Sequence, residues 1–264
     1  MTDSPVLWQL DARGVATVTF NRPAVNNAYN ADLVAGVLTA LDGLGAESSL
    51  RVVVIRGAGK HFQAGADLTW LNELAGRSRA DNLAASRATA EAVHRLNNVP
   101  VPTVALIQGG CFGGGTGIAA ACDVVIAADN AIFSIAETRW GLIAGIIIPQ
   151  LNDAIGVRQV RRYALTGERF DAEEARRIGL AHVVVPLAEL QAAGERVVDQ
   201  LLRNAPEANA QTKAVAIEHA WGNLTAQGFA RLLEQHAAKR QSPEAAEGLA
   251  SFLEKRQAAW YRTS

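Results

Sequence analysis

Six of the eleven residues from Gly109 to Ala119, GGCFGGGTGIA, are glycine. Three of them, Gly113–Gly115, run straight into the helix-forming stretch TGIAAAC at 116–122. A tight turn packed closely between a strand and a helix uses one or two glycines, because they lack a Cβ; it does not call for three in a row. Consecutive glycines at that point leave backbone N–H groups bare at the positive end of a helix dipole, where an anion or an oxyanion is stabilised. A second loop of the same kind, FQAGAD at 62–67, follows the apolar run RVVVIRG at 51–57. Two such loops at the ends of parallel strands could aim one N–H each at a single oxygen.

A nucleotide fold competes for the same residues. Gly115, Gly117 and Ala120 satisfy G-x-G-x-x-A, and Glu137 lies 22 residues past Gly115. Length argues against it: the next strand-like run begins near Asp123, leaving about eight residues for a crossover that needs a dozen or more. Lys60 is far from any position a phosphate-binding loop would require.

The elements that must carry these loops alternate in type. VLWQLDARGVATVTF reads as two strands around a turn at Asp11–Gly14, and 31–45 as a helix ending in glycines. The runs 51–57, 102–109 and 123–129 are strands, the first two continuously apolar as in strands buried on both faces. Helices are expected from Leu68, over 79–98 and over 116–122. Strands alternating with helices indicate an α/β core with parallel strands. After about Pro186 the pattern is helical, in 187–204, 206–221 and 242–260. The chain is therefore divided into a core, 1–195, and a C-terminal helical region, 196–264.

Composition narrows the classes. The 264 residues are 49% hydrophobic and 19% charged with a net charge of −1, which gives no basic footprint for nucleic acid or for an anionic membrane surface. The two cysteines, Cys111 and Cys122, make no disulfide framework, and the five histidines are scattered without metal-ligand spacing. MTDSPVLWQL lacks the basic and apolar regions of a signal peptide, and no apolar stretch is long enough to cross a bilayer. A cytoplasmic protein without a metal is expected.

Taken together, NRPAVNNAYN near the start, GKHFQAGADL at 59–68, GGCFGGGTGIAAACDVVIA at 109–127, FSIAETRWGL at 133–142 and LTGERFDAEEARRIGLAHVVV at 165–185 resemble the enoyl-CoA hydratase/isomerase (crotonase) superfamily over nearly the whole chain. The resemblance implies a spiral of ββα turns with a C-terminal helical region, in place of an open doubly wound sheet. It implies an acyl-CoA substrate, no separate cofactor because coenzyme A is part of that substrate, and a homotrimer or hexamer. By position it makes the N–H groups of Ala64 and Gly114 the oxyanion donors, with Gly65, Ala66, Asp67 and Trp140 also at the substrate. The family's two-carboxylate hydratases carry their first Glu where this chain has Gly117; the second matches Glu137, which becomes the one acid/base.

The remaining polar residues are read more plainly. Asp67 is expected to cap the helix after it, and Asp123 to close the short helix or order the next strand. Glu73 is a lesser candidate to face the site, His61 and His94 have no partner for a triad, and Cys111 is a small packing residue. Trp70 and Trp140 are expected as pocket wall or core. The segment GLIAGIIIPQLNDAIG at 141–156, with Gly117, is similar to bacterial hydratases of methylglutaconyl-CoA and isohexenylglutaconyl-CoA. Such substrates carry a free carboxylate, for which Arg139 and Arg87 are candidates. The leading expectation is a 2-enoyl-CoA hydratase. The alternatives are a Δ3–Δ2 enoyl-CoA isomerase with one proton shuttle and, from another class, a non-catalytic acyl-CoA or RNA-binding relative.

Overall fold

The computed structural model describes residues 4–204, 206–220 and 226–256. Strands β1 (Val6–Leu10) and β2 (Val15–Phe20) form the expected hairpin. Its turn is held by Asp11, whose carboxylate accepts the N–H groups of Arg13 and Val15. Then come α1 (Ala31–Gly45), β3 (Val52–Gly57), α2 (Leu68–Ala75), α3 (Arg79–Asn97) and β4 (Thr103–Ile107). The Gly-rich segment supplies β5 (Gly110–Phe112) and α4 (Gly114–Ala120), followed by β6 (Val124–Ala128) and β7 (Ile132–Ser134). The chain continues through α5 (Ile148–Thr166), β8 (Phe170–Asp171), α6 (Ala172–Ile178) and β9 (Val183–Val185). Among the described residues four helices follow: α7 (Leu190–Leu202), α8 (Pro206–Ala220), α9 (Ala226–Arg240) and α10 (Pro243–Leu253).

Two sheets result. The larger has the order β1-β2-β3-β4-β6-β9 and is parallel beyond its first hairpin; the smaller is β5-β7-β8. The chain steps from large sheet to small sheet to helix twice, as β4-β5-α4 and β6-β7-α5, which is the ββα spiral. A third step is sketched after β3, where Gln63 bridges Cys111 of β5.

The apolar runs of β3 and β4 divide between two cores. Val53, Ile55, Ala105 and Ile107 face one, with residues of α1 and α3; Val52, Val54, Val104 and Leu106 face the other, with Leu190, Ala193 and Val198 of α7. Alternation along a strand sends neighbours to opposite faces, so a strand covered on both sides reads as an unbroken apolar run. Each valine, leucine or isoleucine among them contributes roughly 1.5–3 kcal/mol of burial.

The structure differs from expectation in places. The expected strand 102–109 ends at Ile107, and a separate strand, β5, lies inside the glycine cluster. The expected helix 116–122 starts two residues earlier, at Gly114. The division at 195/196 falls within α7, which packs on the large sheet as one unit. Trp221 and residues 257–260 of the expected C-terminal helices lie outside the described residues. Among the described residues no helix is long and apolar enough to cross a membrane.

Candidate active site

A cavity of about 610 Å³ opens where the two glycine-containing loops meet the segment after β7. Ala64, Gly65, Ala66, Asp67, Gly114, Glu137 and Trp140 all lie on its wall. Apolar side chains of α1 (Leu33, Val37, Leu41) and α3 (Ala92, Val93, Leu96) also line it.

Glu137 begins a short 3-10 turn, Glu137–Trp140, and its carbonyl accepts the N–H of Leu142 at 3.0 Å. The side chain is half-buried, and its Oε2 is enclosed with no hydrogen-bond partner among the described residues. A Cβ on Gly113 would lie 2.9 Å from Oε1, and Gly113 has φ +49°, so both the carboxylate and the backbone require glycine there. Burial pushes the Glu137 carboxyl up to about 7, its own backbone N–H opposing this only partly. A group poised there serves as base and as acid near neutral pH.

The loop before α2 is held from several sides. The Gln63 side chain accepts the Gly65 N–H at 3.0 Å. Tyr29 bonds this backbone twice: its N–H donates to the Gly65 carbonyl at 2.9 Å and its carbonyl accepts the Asp67 N–H at 2.8 Å. The Ala64 N–H donates to the Asn26 carbonyl at 3.0 Å. Ala64 is thereby removed as an oxyanion donor, a correction to the sequence reading: its proton is already committed to Asn26. Ala66, two residues on, lines the cavity, and its N–H has no acceptor among the described residues.

In the second loop Gly113 donates its N–H to Ser134 at 2.8 Å. Gly114 is the first residue of α4, where no intrahelical acceptor exists. Its N–H has no acceptor among the described residues either. Side chains are excluded at Gly114 by Tyr29, whose ring carbon would be 2.6 Å from a Cβ. The obstacle is thus a protein ring rather than a substrate.

At Gly117 a Cβ would lie 2.2 Å from the Ile147 side chain. The space a carboxylate would need there is filled by a buried apolar residue that also lines the cavity.

Other expected residues have plain roles. Asp67 caps α2, accepting from Thr69 and Trp70, and pairs with Arg22 at 3.3 Å. Asp123 orders the strand ends, accepting from the Thr103 backbone and hydroxyl and from Lys213. His61 accepts the Gly110 N–H at 2.7 Å. His94 lies against Phe229, and Trp70 packs edge-on against Tyr29. Cys111 and Cys122 are buried free thiols. Glu73 is exposed on α2 and off the cavity wall, so it does not face the site. Arg87 is likewise exposed and off the wall, whereas Arg139 is exposed at the wall.

The sequence reading passed over Tyr29, Ile147, His236 and Arg240, all of which line the cavity. Tyr29 and Ile147 sit in quoted segments and only their neighbours in space reveal them. His236 and Arg240 belong to α9, whose sequence carries no motif.

A family model described as enoyl-CoA hydratase/isomerase matches residues 11–263. The hydroxycinnamoyl-CoA hydratase-lyase of Pseudomonas fluorescens is 34% identical over 199 residues, 74% of this chain and 71% of that protein. A mitochondrial Delta(3,5)-Delta(2,4)-dienoyl-CoA isomerase of Dictyostelium discoideum is 30% identical over 257 residues, 94% of this chain and 87% of that one. The crystal structure of an enoyl-CoA hydratase from Mycobacterium avium matches with a TM-score of 0.86 at 31% identity, covering 98% of this chain and 100% of its own.

Proposed function

This chain belongs to the enoyl-CoA hydratase/isomerase family, and from that premise we propose that it hydrates 2-enoyl-CoA thioesters with Glu137 as the single acid/base. One observation carries the reading: the Glu137 carboxyl, raised to about 7 by burial, shares a cavity with two loop amides that have no acceptor among the described residues. The thioester oxygen accepts from Ala66 and Gly114. Water held by Glu137 loses a proton to it while adding to the β-carbon, and negative charge moves onto the thioester oxygen as an enolate. Each preorganised donor there is worth roughly 2.7–4 kcal/mol. Glu137 then delivers that proton to the α-carbon, which closes the balance without a second carboxylate. Coenzyme A enters and leaves as part of the substrate, and no further cofactor is needed.

The Ile147 side chain against Gly117 favours a second reading, Δ3–Δ2 isomerisation, in which one carboxylate carries a proton between two carbons and no water takes part. Crotonyl-CoA and a 3-enoyl-CoA assayed side by side separate the two. Hydration of crotonyl-CoA supports the first reading; turnover of the 3-enoyl thioester alone replaces it with the second. No turnover of either, without acyl-CoA binding, removes both.

A trimer or hexamer is proposed on the family's habit, and sedimentation at micromolar concentration tests it: a monomer would contradict it. The buried free thiols fit a reducing compartment, and we assign the protein to the cytoplasm.

A further inference from the structure

The segment NRPAVNNAYN holds one side chain that the fold uses only in part. Tyr29 lines the cavity, and its ring is fixed by its surroundings. Its backbone is bonded to Gly65 and Asp67, and the ring stands edge-on to Trp70 at 5.8 Å. Ring carbon Cε1 lies 2.6 Å from where a Cβ on Gly114 would be. Phenylalanine would make every one of these contacts. The hydroxyl is the part without a structural use. It has no hydrogen-bond partner among the described residues and is not sealed off by packing, so it opens on the cavity.

That hydroxyl belongs to the end of the cavity where the reaction is placed. Gly113 and Gly114 are consecutive, with Cα atoms about 3.8 Å apart. Glu137 Oε1 lies 2.9 Å from the Cβ position of Gly113, and Tyr29 Cζ, which bears the hydroxyl, lies 3.4 Å from that of Gly114. The carboxylate and the phenol thus flank the start of α4, where the Gly114 N–H has no acceptor among the described residues. Burial first and the Glu137 charge second push the phenol up to about 12, with Arg240 opposing. Tyr29 therefore keeps its proton near neutral pH and is no rival base. Two buried hydroxyls of the same wall are spent on carbonyls: Ser134 donates to Gly167 and Thr89 to Ala85.

A reacting water needs more than one partner. Oε2 of Glu137 is enclosed, which leaves Oε1 as the oxygen a water reaches. One hydrogen bond leaves a water free to turn, whereas an ordered water in a protein makes about three. A carboxylate at position 117 cannot be the second partner, because the residue is glycine and Ile147 fills the space. Resting on the hydration reading, we infer that the Tyr29 phenol oxygen accepts the second hydrogen of the attacking water and so aims its lone pair at the β-carbon. Tyr29 exchanges no proton. One water hydrogen passes to Glu137 and on to the α-carbon, and the other stays on the oxygen as it becomes the product hydroxyl. Tyr29 touches the reacting water and is in that sense a catalytic residue.

Tyr29→Phe tests this, because it removes the oxygen and keeps the ring. With crotonyl-CoA, kcat is expected to fall about tenfold or more, the cost of one hydrogen bond to a reacting group. Calorimetric affinity for butyryl-CoA, which is saturated and non-reactive, should stay within roughly threefold of the parent's. That split between kcat and affinity is what a merely structural tyrosine would not produce. A kcat within about twofold of the parent's overturns the inference. So does a fall in kcat matched by an equal fall in butyryl-CoA affinity, which would place the hydroxyl on the thioester or in the packing of the site. If the parent binds butyryl-CoA and does not hydrate crotonyl-CoA, the hydration reading fails first and the role of Tyr29 with it.

Discussion

At the scale of single residues, the proposed chemistry rests on one carboxyl group, Glu137, whose protonation the fold has shifted. Glu137→Gln should lower kcat at least about 10²-fold while leaving affinity for a saturated acyl-CoA intact, because the proposed oxyanion donors, Ala66 and Gly114, are main-chain groups. The active form is the carboxylate, so the parent's kcat/KM should rise with pH through about 7; a flat profile would place the base elsewhere. The same shift bears on stability with a definite sign. The folded group holds its proton more tightly than the unfolded one, so its contribution is fully present below about 4.5 and lost as pH rises through about 7. Glu137→Gln should therefore gain on the parent with rising pH, by up to about 3 kcal/mol above pH 7. Melting curves at pH 4.5 and pH 8 check this, and equal differences at both would refute it. That Glu137 stands on the cavity wall beside the glycine loops was legible from the sequence through its segment SIAETRWG. The choice between Ala64 and Ala66 was not. It turns on the Asn26 carbonyl, a partner nearly forty positions away that takes one amide and leaves the other.

At the scale of elements, the glycines are spacing devices between packed parts. Gly117 lets α4 lie against Ile147, and a methyl group there meets that side chain at 2.2 Å. Gly117→Ala should cost about 1–3 kcal/mol of stability by overpacking. Ile147→Ala should cost stability alone yet relieve part of the loss when combined with it. A double-mutant cycle with no coupling would show that α4 and the start of α5 adjust independently. The strand–helix alternation was readable because β3 and β4 are covered on both faces and show continuous apolar runs. Strand β5 was not: two of its neighbours and one of its own three residues are glycine, and its pairing comes from β7 rather than from propensity. Helix α9 carries neither a motif nor a strong apolar stripe, so the burial of its last residue depends on α3 lying across it.

At the scale of the whole molecule, the C-terminal helices return to the site of their own chain. Helix α10 packs on the turn that carries Glu137, with Phe252 edge-on to Trp140 at 5.0 Å. Gly248 permits that approach: a Cβ there would lie 2.2 Å from the Trp140 carbonyl oxygen. Gly248→Ala should therefore lift α10 off the turn, admit water to Glu137 and lower kcat by roughly tenfold or more. The pH limb should move from about 7 toward 4.5. An unchanged limb would show that α10 does not shield the carboxylate.

The contact between Gly117 and Ile147 also constrains where this lineage can go. A second carboxylate at position 117 is blocked while Ile147 stands, and trimming Ile147 first opens a void with no compensating gain. Each single step is a loss, so the route to a two-acid site runs through a less fit intermediate. A laboratory search for the two-acid version of this chain should therefore mutate both positions together.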